Sequence, residues 1–187
     1  MSHVLALLGL LWAVAVPLAT PARAEAPTTY MQRVMNELVT ASRTGSSSAF
    51  ANVMRRHADV HYIGMFSLGS YARGLSAQDR PTYMAGMVNF ISRYAAKEAP
   101  KYPVASAVVV GQTQEEKGGV YVDSRITLKG GDTYDVRWWL VRSGQGYKVR
   151  DAQAVGFWMS PFLKTLFENY IAENGGNPRA LVLALNR

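Results

Sequence analysis

Thr133-Tyr-Asp-Val-Arg-Trp-Trp-Leu-Val-Arg142, Ser143-Gly-Gln-Gly146 and Tyr147-Lys-Val-Arg-Asp-Ala-Gln-Ala-Val155 form the stretch that decides the fold. Residues 133–142 and 145–155 alternate between apolar and polar side chains, which predicts two strands. The glycine-containing connector between them is too short for a crossover, so the two strands must be antiparallel neighbours. Gly156 follows, and the aromatic-rich segment 157–171 predicts a helix.

Two further strands are predicted upstream, over residues 104–112 and 119–129. Short glycine-containing connectors join them to each other and to the hairpin, so the four strands form an antiparallel meander. One face of the central pair is apolar. The other face carries Asp123, Arg125, Asp135 and Arg137. This alternation predicts one buried and one solvated sheet face.

Helical spacing dominates the chain before residue 103. It predicts helices over residues 30–43 and 49–56 and a short helix from residue 59 that continues through Arg73. A longer helix follows. It begins either with a capping box from Ser76 to Asp79 or with Asp79 as its cap and Pro81 in its first turn. A short final helix begins at Pro178.

Helices, then a meander, then helices define an α+β fold. We predict an NTF2-like architecture, in which a curved four-stranded antiparallel sheet packs against several helices and encloses an apolar pocket. The length of 187 residues indicates one domain, and 49% apolar residues supply an ordinary core. The chain has no cysteine, which excludes disulfides, thiolate metal sites and cysteine nucleophiles.

The N-terminus has the pattern of a secretory signal peptide. Residues 5–18 are mostly apolar, and Ala22-Arg23-Ala24 provides a small-x-small cleavage site. We therefore expect a signal peptide over residues 1–24, an exported domain over residues 25–187 and a periplasmic location; an uncleaved anchor is the alternative. Removing Arg23 lowers the net charge of +7 by one. A basic exported protein favours anionic lipid head groups or an acidic protein surface over nucleic acid.

Two sets of residues carry a family resemblance. The first set is Leu68, Gly69, Tyr71, Arg73, Ser76, Arg80, Tyr83, Ile91 and Tyr94. The second set is Tyr134-Asp-Val136, Tyr147-Lys-Val149, Asp151, Gly156, Phe167, a glycine at 175 or 176, Leu181 and Leu185. Their order and spacing resemble the MlaC family, also called the toluene-tolerance family.

The resemblance implies a periplasmic phospholipid carrier with an NTF2-like sheet and added helices. Its implied partners are a phospholipid and the inner- and outer-membrane complexes of an ABC-type lipid transport system. It implies no catalysis and no cofactor. Trp158 stands where the family has serine, and Lys164 where it has arginine. A hopanoid-associated, HpnM-like branch is also similar, so a hopanoid- or sterol-like lipid is an alternative ligand.

A lipid carrier needs a large apolar cavity. Two acyl tails hold roughly 30 methylenes, and exposing them to water would cost on the order of 20–25 kcal/mol. The candidate wall residues are Met84, Met87, Phe90, Ile91, Val120, Val122, Ile126, Val136, Trp138, Leu140, Phe162, Leu166 and Phe167. The candidate head-group cations are Arg73, Arg80 and Lys164, with Lys97 and Lys101 as further options. The competing interpretation is an ordinary core with a solvated charged surface.

Two other kinds of site have weaker patterns. His57 and His61 would share a helix face and could bind a metal, but the sequence identifies no third ligand. An NTF2-like isomerase or dehydratase would use an aspartate base in an apolar pocket, and Asp123, Asp135 and Asp151 lie on predicted strands. Two of these aspartates have arginine neighbours on the solvated face. The sequence therefore predicts a binding protein rather than an enzyme.

Overall fold

The computed structural model describes residues 25–116 and 118–187, so the predicted signal peptide lies outside the described residues. The helices are α1 (Pro27–Thr44), α2 (Ser47–His57), α3 (Val60–Ser67), α4 (Arg80–Glu98), α5 (Met159–Glu173) and α6 (Pro178–Leu185). The strands are β1 (Val104–Glu116), β2 (Gly119–Leu128), β3 (Thr133–Ser143), β4 (Gly146–Ala154) and β5 (Phe157–Trp158). Two 3₁₀ turns span Gly69–Gly74 and Ala99–Lys101. Within the described part of the chain, no helix has the length and hydropathy of a membrane span.

The five strands form one open antiparallel sheet in chain order, β1-β2-β3-β4-β5. The α+β class and the meander are confirmed, but the predicted count of four strands is wrong. The extra strand, β5, is two residues long and pairs with β4 across a turn at Val155 and Gly156, whose φ angles are 52° and 82°. The helix predicted from residue 157 therefore begins at Met159.

The free edge of the sheet is covered by a side chain from α1. Nε2 of Gln32 donates to the carbonyl oxygen of Ala107 at 2.9 Å, and its Oε1 accepts from the backbone N–H of Val109 at 3.0 Å. These bonds use edge groups that a neighbouring strand would otherwise pair with. They also fix α1 across the inner face of β1.

The long helix α4 begins as the second alternative predicted. Asp79 occupies the N-cap position and Pro81 lies in the first turn, where its missing N–H has no helical partner to lose. The Asp79 side chain makes no cap bond to the helix. The Ser76–Asp79 contacts of the first alternative are also present, since the Ser76 hydroxyl donates to the Asp79 carboxylate at 2.8 Å and accepts from the Asp79 backbone N–H at 3.1 Å.

The interior consists of two apolar clusters. The first core lies between the sheet and α1–α2, and its buried members are Tyr30, Met31, Val34, Met35, Ala41, Phe50, Val53, Val120, Val122, Leu140 and Tyr147. The second core lies among α3–α6, and its buried members are Leu68, Leu75, Tyr83, Met87, Leu163, Phe167, Ile171, Leu181, Val182 and Leu185. Helix α4 joins the two cores: Tyr83 and Met87 lie in the second, whereas Ala95 and Ala96 pack against the first.

Candidate functional site

An apolar cavity of about 270 Å³ lies between the sheet and the C-terminal parts of α1 and α4. Its lining residues are Met35, Leu38, Val39, Ser42, Phe50, Ala95, Ala99, Tyr102, Val104, Ala107, Ile126 and Trp138. Tyr102 is half exposed and marks where the cavity meets solvent. The volume falls just below the range of about 300–1,000 Å³ typical of small-molecule sites.

The cavity exists because small side chains face it from two sides. Ala95 and Ala99 come from the end of α4 and the turn after it, and Ala107 comes from β1. The opposite wall is the stripe Met35, Leu38, Val39 and Ser42, which recurs at helical spacing on α1. Bulky helix residues therefore face alanines, and the gap between them is not filled.

Trp138 is the largest wall residue, and its orientation is fixed. Its indole N–H donates to the hydroxyl of Ser124 at 2.8 Å, and that hydroxyl donates to the carbonyl oxygen of Val136 at 3.2 Å. Ser124 is fully buried, so this chain of bonds satisfies polar groups that water cannot reach. The polar edge of the ring is thus engaged, and its apolar face is left for the cavity.

The predicted wall residues separate into four groups, of which three lie in the interior and the fourth, Phe162 and Leu166, does not. Ile126 and Trp138 line the cavity. Val120, Val122, Val136 and Leu140 are buried, and all except Val136 belong to the first core, with which Trp138 also packs. Met84, Met87, Phe90, Ile91 and Phe167 belong to the second core or pack against it, and none of these five lines the cavity.

Phe162 and Leu166 have a different position from the expected one. We predicted both as cavity walls together with Phe167, but they lie on the solvent side of α5. Helix α5 carries two apolar stripes about 100° apart, since neighbouring residues are separated by that angle in a helix. Leu163, Phe167 and Ile171 face the second core, so the other stripe is exposed.

The predicted head-group cations also lie away from this cavity. Arg80 begins α4, and Ala95 near its end lines the cavity, so about 22 Å of helix separates the two residues. Lys164 on α5 is 3.8 Å from Glu168, and Arg73 lies in the 3₁₀ turn that contacts α5 and α6. Lys101, an option from the sequence, comes just before the lining residue Tyr102 and binds Glu98 at 2.8 Å.

Sequence reasoning missed the α1 wall. The stripe of Val34, Met35, Leu38 and Val39 was identified as a helix pattern, but nothing in its period distinguishes a cavity wall from a core contact. The alanine of α4 did not indicate a cavity in the sequence, because a cavity arises where side chains are too small to fill the space between packed elements.

The two histidines do not form a common site. His57 is buried at the end of α2, where its ring nitrogens lie 3.2 Å from the Tyr30 hydroxyl and 3.0 Å from Glu37. His61 is exposed on α3. Burial raises the pKa of Glu37, but hydrogen bonds from His57 and Arg56 outweigh it and lower that pKa. No group of three or more potential metal ligands occurs among the residues that the structure describes.

None of the three strand aspartates lines the cavity. Asp123 and Asp135 lie on the outer face and bind Arg137 and Arg125 at 2.7 and 2.8 Å. The hydrogen bond from Arg125 lowers the pKa of Asp135, which is unfavourable for a general base at neutral pH. The cavity is therefore lined by apolar side chains with Ser42 and Tyr102, and no aspartate, glutamate or histidine is among its lining residues.

Asp151 caps the N-terminus of α5, although it lies on β4 and not in the helix. Its Oδ1 accepts from the backbone N–H groups of Ala152 at 2.8 Å and Ser160 at 3.0 Å, whereas the N-cap residue Trp158 makes no side-chain cap bond. Burial raises the pKa of Asp151, although these N–H bonds act in the opposite direction. The carboxylate thus serves the junction between β4 and α5.

Asp151→Ala should lower the free energy of unfolding by about 1–3 kcal/mol, since two buried N–H groups lose their acceptor. Asp151→Asn keeps an acceptor and should be nearly neutral. The pKa of Asp151 is higher in the folded state than in the unfolded state. The wild-type residue therefore contributes most to the free energy of unfolding below the unfolded pKa of about 4, and this contribution is lost as pH rises through the folded pKa. Urea unfolding at pH 4 and pH 7 measures this. The free energy of unfolding of Asp151→Asn, relative to that of wild type, should be higher at pH 7 than at pH 4. An equal offset at both pH values would contradict it.

Comparisons with known proteins agree with the fold. A family model described as "MlaC protein" matches residues 28–187. A solved structure described as a phospholipid-binding protein from Ralstonia solanacearum in complex with a phospholipid is similar, with a TM-score of 0.69 and 18% sequence identity. The match covers 88% of this chain and 96% of that one. No curated protein sequence matches significantly.

Proposed function

The chain belongs to the MlaC family, and on that premise we propose that it binds the acyl tails of a phospholipid in the cavity beneath its sheet. The observation that carries the proposal is the cavity itself, which is apolar, open at Tyr102 and walled by Trp138 and Ile126. Each methylene moved from water into such a space contributes about 0.8 kcal/mol. The Ralstonia relative, described as bound to a phospholipid, supports this choice of ligand.

Two full tails need more space than about 270 Å³, since even drug-sized ligands commonly occupy larger sites. Binding must therefore widen the cavity. The sheet side is held by strand pairing on both sides of β2, interrupted by two bulges in the pairing with β1, so the C-terminal parts of α1 and α4 and the turn after α4 are the walls that we expect to move. Val39 and Ser42 lie in α1, Ala95 lies in α4, and Ala99 lies in the turn after α4. No ion pair links the two helices among the described residues.

We further propose that the protein acts in the periplasm and passes its lipid between inner- and outer-membrane complexes of an ABC-type transport system. Family membership and the predicted signal peptide support this role. The description of the sheet as NTF2-like is part of the same proposal. The position of the aspartates outside the cavity supports a carrier rather than an enzyme.

Trp158 was the residue that favoured a hopanoid- or sterol-like ligand. Its ring packs 5.9 Å from that of Tyr121 and does not line the cavity. Its bulk therefore does not narrow the space for a tail. Membership of the HpnM-like branch stays a prediction, and the ligand that we propose is a phospholipid.

The direct test is the lipid content of the purified protein. We expect organic extraction and mass spectrometry to recover a glycerophospholipid at close to one molecule per chain. Transfer of a fluorescent phospholipid from donor to acceptor vesicles should then be faster with the protein than without it. A protein that carries no lipid and does not accelerate transfer would contradict the proposal. Recovery of a hopanoid would show that the ligand is a hopanoid and not a phospholipid.

A further inference from the structure

A second apolar surface lies on the outside of the molecule, where the β4–β5 turn meets α5. Its members are Val155, Phe157, Met159, Phe162 and Leu166, with 72%, 70%, 42%, 66% and 42% of their area exposed. Met159, Phe162 and Leu166 follow helical spacing on one side of α5. Val155 lies in the turn before β5, and Phe157 lies in β5, just before the helix. We call these five residues the 155–166 surface. Isolated exposed apolar residues are ordinary, but a contiguous set marks an interaction site.

The backbone at this surface is strained. Val155 has a φ of 52°, and no other non-glycine residue in the described part of the chain has a positive φ. A β-branched residue is strongly disfavoured in this conformation. Strain of this kind persists where it serves a function, and here it places an apolar side chain in water at the tip of a turn. The two-residue turn between β4 and β5 requires a positive φ here, but glycine or asparagine would supply it without strain. The turn therefore does not explain an exposed valine, and a binding role does.

Three carboxylates near the 155–166 surface are paired with cations, whereas Glu173, about two turns beyond Leu166 on α5, is exposed. Glu168 lies 3.8 Å from Lys164. Asp123 and Asp135 border a groove that reaches Gly156, and both bind arginines. The whole chain has a net charge of +7. The net positive charge therefore favours association with an anionic surface over a neutral one.

We propose that the 155–166 surface inserts into the head-group layer of a bilayer that contains anionic lipids. Aromatic and aliphatic side chains on one side of a helix bind bilayers in this way, and basic charge strengthens the binding. The apolar area is small, so contact should be weak and reversible, comparable to the association constant of about 10⁴ M⁻¹ of a single myristoyl chain. The proposal concerns the outer surface and does not depend on what the cavity holds.

Vesicle co-sedimentation tests it. The wild-type chain should bind vesicles of mixed phosphatidylcholine and phosphatidylglycerol more strongly than vesicles of phosphatidylcholine alone. The double variant Phe157→Ser/Phe162→Ser should bind the mixed vesicles at least about tenfold more weakly. The control Val108→Ser/Leu183→Ser removes two exposed apolar residues elsewhere and should bind within about twofold of wild type.

The absence of cysteine allows a second readout. An environment-sensitive dye on Phe157→Cys should shift to the blue on mixed vesicles, whereas the same dye on Leu183→Cys should not. Vesicle binding that survives the Phe157/Phe162 double variant, or equal dye shifts at both positions, would overturn the proposal. A wild-type chain that binds no vesicles would also overturn the proposal. A protein partner would then be the alternative ligand of this surface. Lipid content by mass spectrometry separates this result from the proposed function, because the double variant leaves the cavity wall unchanged.

Discussion

Ile126→Asp is expected to give a folded protein that purifies without lipid. Ile126 lines the cavity from β2 and pairs across the sheet with Ala107 of β1 and Tyr134 of β3. A carboxyl group there would face the acyl chain, and an unpaired polar group against hydrocarbon costs about 2–4 kcal/mol, which is roughly a 30- to 1,000-fold loss of affinity. In the free protein the same group can reach the solvent that enters the open cavity, so the fold should survive.

Mass spectrometry of the purified variant and its fluorescent-lipid affinity measure the effect. Thr127→Asp, one residue along β2 and on the opposite face, is the matched control and should retain its lipid. A second pair avoids charge: Ala107→Trp would fill the cavity, whereas Val108→Trp adds the same ring to the exposed face of β1. Circular dichroism distinguishes lost binding from lost structure. Full lipid occupancy in folded Ile126→Asp and Ala107→Trp would show that the tails bind elsewhere.

Phe167→Ala should cause the largest loss of stability. Phe167 is 1% exposed, and its ring centroid lies 5.9 Å from that of Phe90 and 6.3 Å from that of Tyr83. Truncation removes the transfer energy of the ring and leaves a void in a close-packed cluster, which costs about 3–5 kcal/mol. For a chain of this size, the Tm should fall by about 6–20 °C.

Phe162→Ala is the matched control, since it changes the same residue type on the same helix. Phe162 is exposed, so its truncation should alter the free energy of unfolding by no more than about 0.5 kcal/mol. Thermal and urea unfolding of both variants provides the comparison. Equal losses from the two variants would mean that the second core does not pack as described, or that Phe162 is buried in solution.

Much of the fold follows from local patterns. The strands of the meander were predicted because period-two alternation and glycine-containing connectors are visible within about ten residues. Strand β5 was not predicted, because two residues are too few for a period. It depends on the positive φ at Val155, a conformation that the residue type argues against. The faces of β2 and β3 were assigned correctly, since alternation in a strand leaves only two choices.

The site was predicted less well. Ile126 and Trp138 were identified as wall residues, and the structure places both at the cavity. Met87 belongs to a different cluster, because one amphipathic helix, α4, serves two cores along its length. Phe167 packs into that second cluster from α5. For Phe162 and Phe167 the sequence offered two apolar stripes on one helix, and periodicity does not indicate which of them meets a partner.

The sequence by itself determined the order and type of the elements, the family and the outward ion pairs of the sheet. These depend on residues that are close in the chain or directly opposite in a hairpin. Only the tertiary structure decided where the hollow space lies and which cations are near it. A cavity depends on how far apart packed elements are held and on small lining side chains such as Ala95 and Ala107 that leave the space between them unfilled. That distance is set by contacts between residues far apart in sequence, such as Gln32 with β1, and no local pattern encodes it.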